Sequence, residues 1–433
     1  MCVPDRSRRE AASTIARLVD ASLVVVERMG MVRYRMLEPL REHARRGLDP
    51  DSLRMLADRH AGWFVERATA VARLAKGPQE AAFLAGVDED LADLRAAMRH
   101  LLDAGRPEAV ATIAMSLSRY WFTRYLGTEA QRWLAEALAG EMAPEIRMGA
   151  LSAAGWAAYG TAAYDQAEAH YEECLGLAQS TGDRHREAEA LYGLARIHLP
   201  RRTRDGAALL REALAVFDEV GAELQSAECK LWLGLRAANG GHVNDAVPWL
   251  TESIGALERL GYLGLVSVGH RYLSLAAWYD GDEAAARQQA DLAESVARAA
   301  DDKRALGGAL IQRGLVEGRW GDPGLAARAI TEALAPIPDN NDIDYCLVAF
   351  GAFPALIRTG RWQTAARLLA HLDRTYDDYG WTPLEDRLPV TTEFRTAIAD
   401  GLAEHGLTLN DTPLPSAAMA AELVDELVAI SVR

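Results

Sequence analysis

The chain has 433 residues, 50% of them hydrophobic, and a formal net charge of -15. That length and apolar content can bury a large core and exclude a disordered chain; the negative balance argues against a surface of clustered cations that would hold phosphate backbones, so nucleic acid is not an expected partner. Met1 to Glu10 lacks an apolar h-region and the most hydrophobic later runs are broken by charge, as at His270 and Arg271, so no membrane association is expected and the chain reads as cytoplasmic.

In chain order, Ser22 to Glu27 (SLVVVE) is apolar and β-branched, Arg28-Met29-Gly30 can turn, and Met31 to Met36 (MVRYRM) alternates, which predicts a β-hairpin. A helix is predicted from near Leu37 (LEPLREHARRGL) to Asp49-Pro50, where proline stops it. Between Met1 and Gly47 ten arginines face six acids. A lone hairpin with no recognition helix before it cannot fill a major groove, so these charges are read as packing against neighbouring domains and not as a DNA-binding wing. Helical pairs are expected to begin within 49–140.

From there to about residue 380 one pattern repeats. Small residues at Ala167, Gly206, Ala246, Ala286, Ala326 and Ala365 stand 39, 40, 40, 40 and 39 apart. Each opens a stripe of apolar residues at +4, +8 and +11, clearest in Leu210/Leu214/Phe217 and Leu250/Ile254/Leu257, with Gly or Asp at +15 in Gly182, Gly221, Gly261 and Asp301. Another small residue (Gly155, Gly193, Gly234, Ser274, Gly314) precedes each of the first five by 12 or 13 positions. Steps of 4, 4 and 3 put the apolar side chains on one helical face, and a small residue lets a neighbouring helix approach closely. In Gly182-Asp183, Gly281-Asp282 and Gly321-Asp322, Gly can cap the outgoing helix and Asp the incoming one. The fold class predicted is all-α: a TPR-like α-solenoid of helix pairs with a period near 40, longer than the usual repeat of about 34, preceded by a small hairpin unit. After Gly380-Trp381-Thr382-Pro383 the period is lost. Glu393 to His405 and Ala417 to Ile430 read as two closing helices, with Leu423, Leu427 and Ile430 packing back on the last repeat.

Nothing in the chain carries catalytic chemistry. The cysteines Cys2, Cys174, Cys229 and Cys346 are scattered, with Cys174 read as a core residue, and the histidines form no H-E-x-x-H or similar metal pattern. With only three lysines (Lys76, Lys230, Lys303) and no G-x-x-x-x-G-K-[ST], no P-loop is present. No G-x-S-x-G occurs, and paired acids such as Glu172-Glu173 or Asp377-Asp378 suit solvated faces. No cofactor, no metal and no enzymatic activity are expected.

Four blocks in the first third carry a resemblance. The run LVDASLVVVERMGMVRYRMLEPLREHA is followed by Arg59-His60-Ala61-Gly62-Trp63-Phe64, by Asp90-Leu91-Ala92-Asp93-Leu94-Arg95-Ala96-Ala97-Met98, and by Tyr120-Trp121-Phe122 leading to Trp133-Leu134 and Ala137-Leu138. In that order and spacing they resemble the region after the ATPase core in STAND-class transcriptional regulators of the AfsR and LuxR-ATPase type, with Asp93 standing where the family usually carries Asn. The resemblance implies that 1–48 is the end of a winged-helix module with its hairpin, that 49–140 holds the first helix pairs, that 141–380 is a sensor superhelix and that 381–433 caps it. It also implies a P-loop ATPase module as a partner, in cis or in trans, since that core does not lie within this chain.

A TPR-like superhelix offers its concave face to ligands or peptides. Counting each upstream small residue as position 8, the inward positions of successive repeats hold Trp156 and Tyr159, Ile197 and His198, Asn239, Arg271 and Trp278, and Arg319, with Leu194, Leu235, Leu275, Tyr279 and Leu315 beside them. An aromatic groove with sparse Arg, His and Asn is the candidate site, although such side chains equally suit the space between repeats. A lysine-and-asparagine clamp for a terminal carboxylate is absent, which disfavours a chaperone-tail adaptor. The expected function is a non-enzymatic, signal-sensing and protein-docking superhelix of a STAND-type regulator, with a protein or peptide partner and a possible small-molecule effector. The alternative is a stand-alone TPR scaffold that bridges proteins.

Overall fold

Helix α1 (Arg8–Asp20) leads into an antiparallel hairpin of β1 (Val24–Met29) and β2 (Met31–Met36) and then α2 (Glu38–Arg46). The computed structural model describes residues 8–29, 31–75, 79–201, 204–337, 348–382, 386, 388–408 and 416–431. Strand pairing runs from Val24 opposite Met36 to Met29 opposite Met31, so Arg28 and Met29 belong to the strand and the reversal is tighter than the three-residue turn expected. The helix after the hairpin is also shorter than expected. It ends at Arg46, with Gly47 as its C-cap, because Asp49 turns to the next helix: its carboxylate accepts from the Asp51 and Ser52 amides while Pro50 fills the first helical position. Proline here opens a helix.

That helix is α3 (Pro50–Ala72), followed by α4 (Glu80–Asp103), α5 (Pro107–Ser116), the short α6 (Ser118–Thr123) and α7 (Gly127–Leu138). Phe64, Phe83, Leu94, Met98, Tyr120, Trp121 and Trp133 form their core, which runs on without a break to Ala157. Five regular pairs follow: α8 (Pro144–Gly160) with α9 (Tyr164–Thr181), α10 (Arg184–Arg201) with α11 (Gly206–Glu219), α12 (Glu223–Asn239) with α13 (Val243–Leu260), α14 (Leu263–Asp280) with α15 (Glu283–Ala299), and α16 (Lys303–Trp320) with α17 (Pro323–Leu334). The chain closes with α18 (Phe353–Arg358), α19 (Trp362–Asp378), α20 (Val390–Glu404) and α21 (Ser416–Ser431). The architecture is a TPR-like α-solenoid, and the hairpin is the sole sheet among the described residues.

The small residues of the period are where helices interlock. A Cβ on Gly155 would stand 2.7 Å from the Tyr171 ring, one on Gly234 2.7 Å from Leu250, and one on Gly314 2.6 Å from Ile330; each of these large residues lies four beyond the small residue that opens the second helix of the pair. Ser274 does the same work with a hydrogen bond, its Oγ donating to the Ala286 carbonyl at 2.6 Å. The +15 position is the left-handed C-cap, with φ of 73° at Gly182, 77° at Gly261 and 51° at Asp301. The incoming caps also form, through Asp183 to the Arg186 amide, Asp282 to Ala285 and Asp322 to Gly324. Gly321 departs from the expectation: at φ -104° it is not left-handed.

One turn of the superhelix brings its ends together. Arg119, on α6, pairs with Glu80 at 2.5 Å and with Asp302, just before α16, at 2.6 Å. Arg124 joins Asp88 at 2.9 Å to Asp301 at 3.0 Å. Farther on, Thr382 donates its amide and its hydroxyl to the Pro200 carbonyl, both at 2.9 Å, and Tyr164 meets Tyr379 and Trp381. The concave side is therefore largely enclosed. Cys174 and Cys229 are buried free thiols, and burial pushes Cys174 up to about 12, so both are inert core residues; Cys2 and Cys346 lie outside the described residues. No described helix is long and apolar enough to cross a membrane.

Candidate functional site

The first helices of three successive pairs, α8, α10 and α12, line a partly open cavity of about 410 Å³. Tyr159, Arg196, Trp232, Leu235, Arg236, Asn239 and His242 line it, and Thr382, Asp386 and Pro389 from the C-terminal segment close it. At its wall sits Arg196, 2% exposed. Its Cζ lies 4.0 Å from the ring centre of Trp156, 4.1 Å from that of Tyr159, 4.6 Å from that of Trp232 and 5.6 Å from that of Tyr192. Rings this close offer their electron-rich faces to the cation and offset part of its lost hydration. No hydrogen-bond acceptor reaches its Nε, and among the described residues no carboxylate stands within ion-pair distance; the field of Glu228 favours the charge from farther off. A guanidinium does not escape by giving up its proton.

Trp156 also belongs to a second cavity of about 120 Å³, which Trp121, Phe122, Tyr125, Arg304 and Tyr379 share with it. There Arg304 lies 4.4 Å from the Phe122 ring centre and 4.9 Å from that of Tyr125, and Phe122 packs 4.7 Å from Trp156. One indole thus separates the small cavity from the Arg196 cage.

Of the residues expected at the groove, Tyr159 and Asn239 line the larger cavity, and Trp156 lines the smaller one while its ring packs on Arg196 at the wall of the larger. The others line neither. Ile197 is fully buried between helices, and His198 points to α9, where its Nε2 is 3.5 Å from Glu168 and burial holds its pKa below the ordinary 6.5. Arg271 lies over Tyr272 at 4.9 Å, against the notch at Gly308. Trp278 is 2% exposed: α20 has folded into the concavity, placing Phe394 against it at 6.5 Å, and its Nε1 donates to the Leu315 carbonyl at 3.3 Å. Arg319 sits 4.4 Å over that same indole and donates to the Trp278 backbone carbonyl. Of the positions expected across repeats one to five, only those of repeats one to three thus meet at a cavity among the described residues.

Arg196 and Trp232 are the residues that positional counting missed. Gly193 accepts the ring of Tyr171 from the preceding helix, whereas Gly155, Gly234 and Gly314 accept a residue from the following one. Treating Gly193 as equivalent to them misplaces the inward face of α10, moving Arg196 out of view and Ile197 and His198 into it. The sequence signal that could have found it is the 13-residue spacing from Gly193 to Gly206, where the other four intervals are 12.

No model of a known protein family matches the chain, and no curated protein matches it. Among solved structures it is similar to a Rap protein complexed with Competence and Sporulation Factor, at a TM-score of 0.50 and 13% identity over 87% of this chain and 98% of that one. NprR in complex with its cognate peptide NprX is also similar, at a TM-score of 0.49 and 11% identity over 86% of this chain and 99% of that one. The fold is that of a TPR-like superhelix. Such identities speak to fold alone, and what this superhelix holds has to be argued from its own cavity.

Proposed function

We propose that this chain is a non-enzymatic sensor, a superhelix that takes a small ligand or a short peptide segment into the cavity between its first three repeats and communicates occupancy to a protein partner. The observation that carries this reading is the partly open cavity of about 410 Å³ with a buried cation in its aromatic wall that has no carboxylate partner among the described residues. That volume falls within the range of roughly 300–1,000 Å³ usual for ligand sites, and concave, apolar surroundings with a few convergent polar groups are their ordinary composition. The similar Rap structure holds a bound factor, which supports the same use of the same fold. Among the described residues no group of His, Cys, Asp and Glu is arranged to hold a metal.

The finer reading assigns the superhelix to a STAND-type regulator, in which the helix–hairpin–helix unit of residues 8–46 is the end of a winged-helix module and a P-loop ATPase, in cis or in trans, is the partner. This rests on the four blocks of residues 18–138. Ligand binding then acts by favouring one arrangement of the ring over another. The test is a thermal-shift screen of the whole chain against short synthetic peptides and small metabolites, each hit mapped by hydrogen exchange. Hits are expected to protect 192–200 and 232–242. Hits that protect only the convex helices or the hairpin would give the scaffold reading instead, and a screen without any hit would remove the sensor reading.

A further inference from the structure

The other deeply placed arginines of this chain show what Arg196 lacks. Arg119 holds Glu80 and Asp302, Arg287 holds Glu317, and Arg67 holds Asp90. Arg201, Arg367 and Arg395 each leave Nε without an acceptor, as Arg196 does, yet all three have a carboxylate partner in Asp165, Glu422 and Asp373. Arg196 is more buried than any of them and has aromatic rings where the carboxylate would be. Taking a charge out of water without a counter-charge is costly, and ring faces offset only part of its lost hydration. A fold that keeps such a group at a cavity wall leaves its pairing to something that enters.

Building on the sensor reading above, we propose that the cavity between α8, α10 and α12 binds its ligand through a carboxylate that pairs with Arg196, with the apolar part of the ligand against Trp232 and Leu235. The rings of Trp156, Tyr159 and Trp232 lie close around Cζ and hold the guanidinium in one orientation, which leaves its in-plane N–H groups as the donors available to an acceptor. A planar carboxylate matches that edge with two parallel hydrogen bonds. Arg236 and His242 add positive and polar character to the lining while Asp386 opposes a second negative charge, which favours a single carboxylate over a phosphate dianion. Such a group comes either from the C-terminus of a short peptide or from a free organic acid, and the cavity has room for the end of one or the whole of the other.

Two matched probe pairs distinguish these sources: acetyl-Ala-Leu-Phe with a free or an amidated C-terminus, and benzoate with benzamide, each titrated into the whole chain by calorimetry with hydrogen exchange as the map. The acid of at least one pair is expected to bind at least about tenfold more tightly than its amide. That preference should vanish in Arg196→Met, which removes an unpaired charge and so melts no lower than wild type, and should weaken in Arg196→Lys, which keeps the charge without the planar fork. Preference within the tripeptide pair alone indicates a peptide terminus, and within the benzoate pair alone a free acid. Acid and amide binding equally well, with protection at 192–200, would overturn the carboxylate while leaving the sensor reading intact. If neither acid binds, or if Arg196→Met keeps the preference, the inference is wrong. A sharp fall in the melting of unliganded Arg196→Met would also overturn it, because Arg196 would then be structural.

Discussion

A small residue in this chain is defined by the large one that fills its notch. Ala246 is fully buried at the head of α13, and Leu250, one turn later, occupies the space that Gly234 leaves on α12. Ala246→Leu should overpack that crossing at a cost of about 1–3 kcal/mol, whereas Asn244→Ser, exposed in the first turn of α13, should be close to neutral. Equal urea midpoints for the two variants would show that the crossing is looser than described. His198 offers a second residue-scale expectation. Burial holds its pKa below 6.5 despite Glu168 at 3.5 Å, and Arg204 and Arg201 push in the same direction while Glu172 opposes. A group with a depressed folded pKa contributes stability above its unfolded pKa and loses that contribution as pH falls through the folded value. Urea midpoints should therefore decline between neutral pH and pH 5, and His198→Gln should flatten the decline even if it lowers the midpoint throughout. An unchanged slope would place the acid sensitivity elsewhere, for example at His170, whose pKa burial also lowers.

At the scale of elements, termini and caps decide where the array stops. Among the pair-joining caps, Asp301 takes the left-handed position that Gly182, Gly221 and Gly261 hold in earlier repeats, and it adds an ion pair to Arg124 that glycine could not make. The last helix, α21, covers the end of the array: Leu423 and Leu427 are fully buried and Ile430 nearly so, packed along α17 and α19, with Arg367 held by Glu422 and Arg361 by Glu426 at its flank. Solenoids need such a closing unit because each repeat otherwise leaves an apolar face to water. Leu423→Ala should cost about 2–5 kcal/mol, and a chain stopped at Gly406 should aggregate or melt earlier than the whole. A stopped chain that is as soluble and as stable as the complete one would deny α21 a capping role.

At the scale of the molecule, the superhelix is closed by charge as well as by packing. Arg119 stands between Glu80 and Asp302, both buried, and Asp302 also caps α16 by accepting from the amides of Arg304 and Ala305. Burial already raises the Glu80 pKa against the pull of Arg119. Arg119→Ala leaves two buried carboxylates without their cation, a change worth about 3–5 kcal/mol in comparable sites. It should loosen the seam before it unfolds the repeats. The expected readout is faster hydrogen exchange at 300–306 and a larger radius of gyration by small-angle scattering, with helix content retained. Unchanged exchange at the seam would mean that Arg124, Thr382 and the aromatic contacts of Tyr164 hold the ring without Arg119.

The repeat was legible because its causes are local. A notch at Gly234, a stripe from Leu250 to Leu257 and a left-handed cap at Gly261 each depend on a few neighbouring positions, so the period, the helix pairs and the closing helix could be read directly. Tyr159 and Asn239 were placed on the cavity side by counting from regular notches. Arg196 was not, because the notch at Gly193 serves the preceding helix, and which neighbour fills a notch is a tertiary fact. Trp278 was misplaced for a longer-range reason: nothing near it in the chain tells that Phe394, more than a hundred residues later, folds back into the concavity. The sequence by itself determined the array of helices and its ends. Only the tertiary structure decided that the array closes through Arg119 and Asp302, that the C-terminal unit fills part of its interior, and that the space left over borders a guanidinium with no carboxylate partner among the described residues, because each of these depends on packing between segments that no periodicity relates.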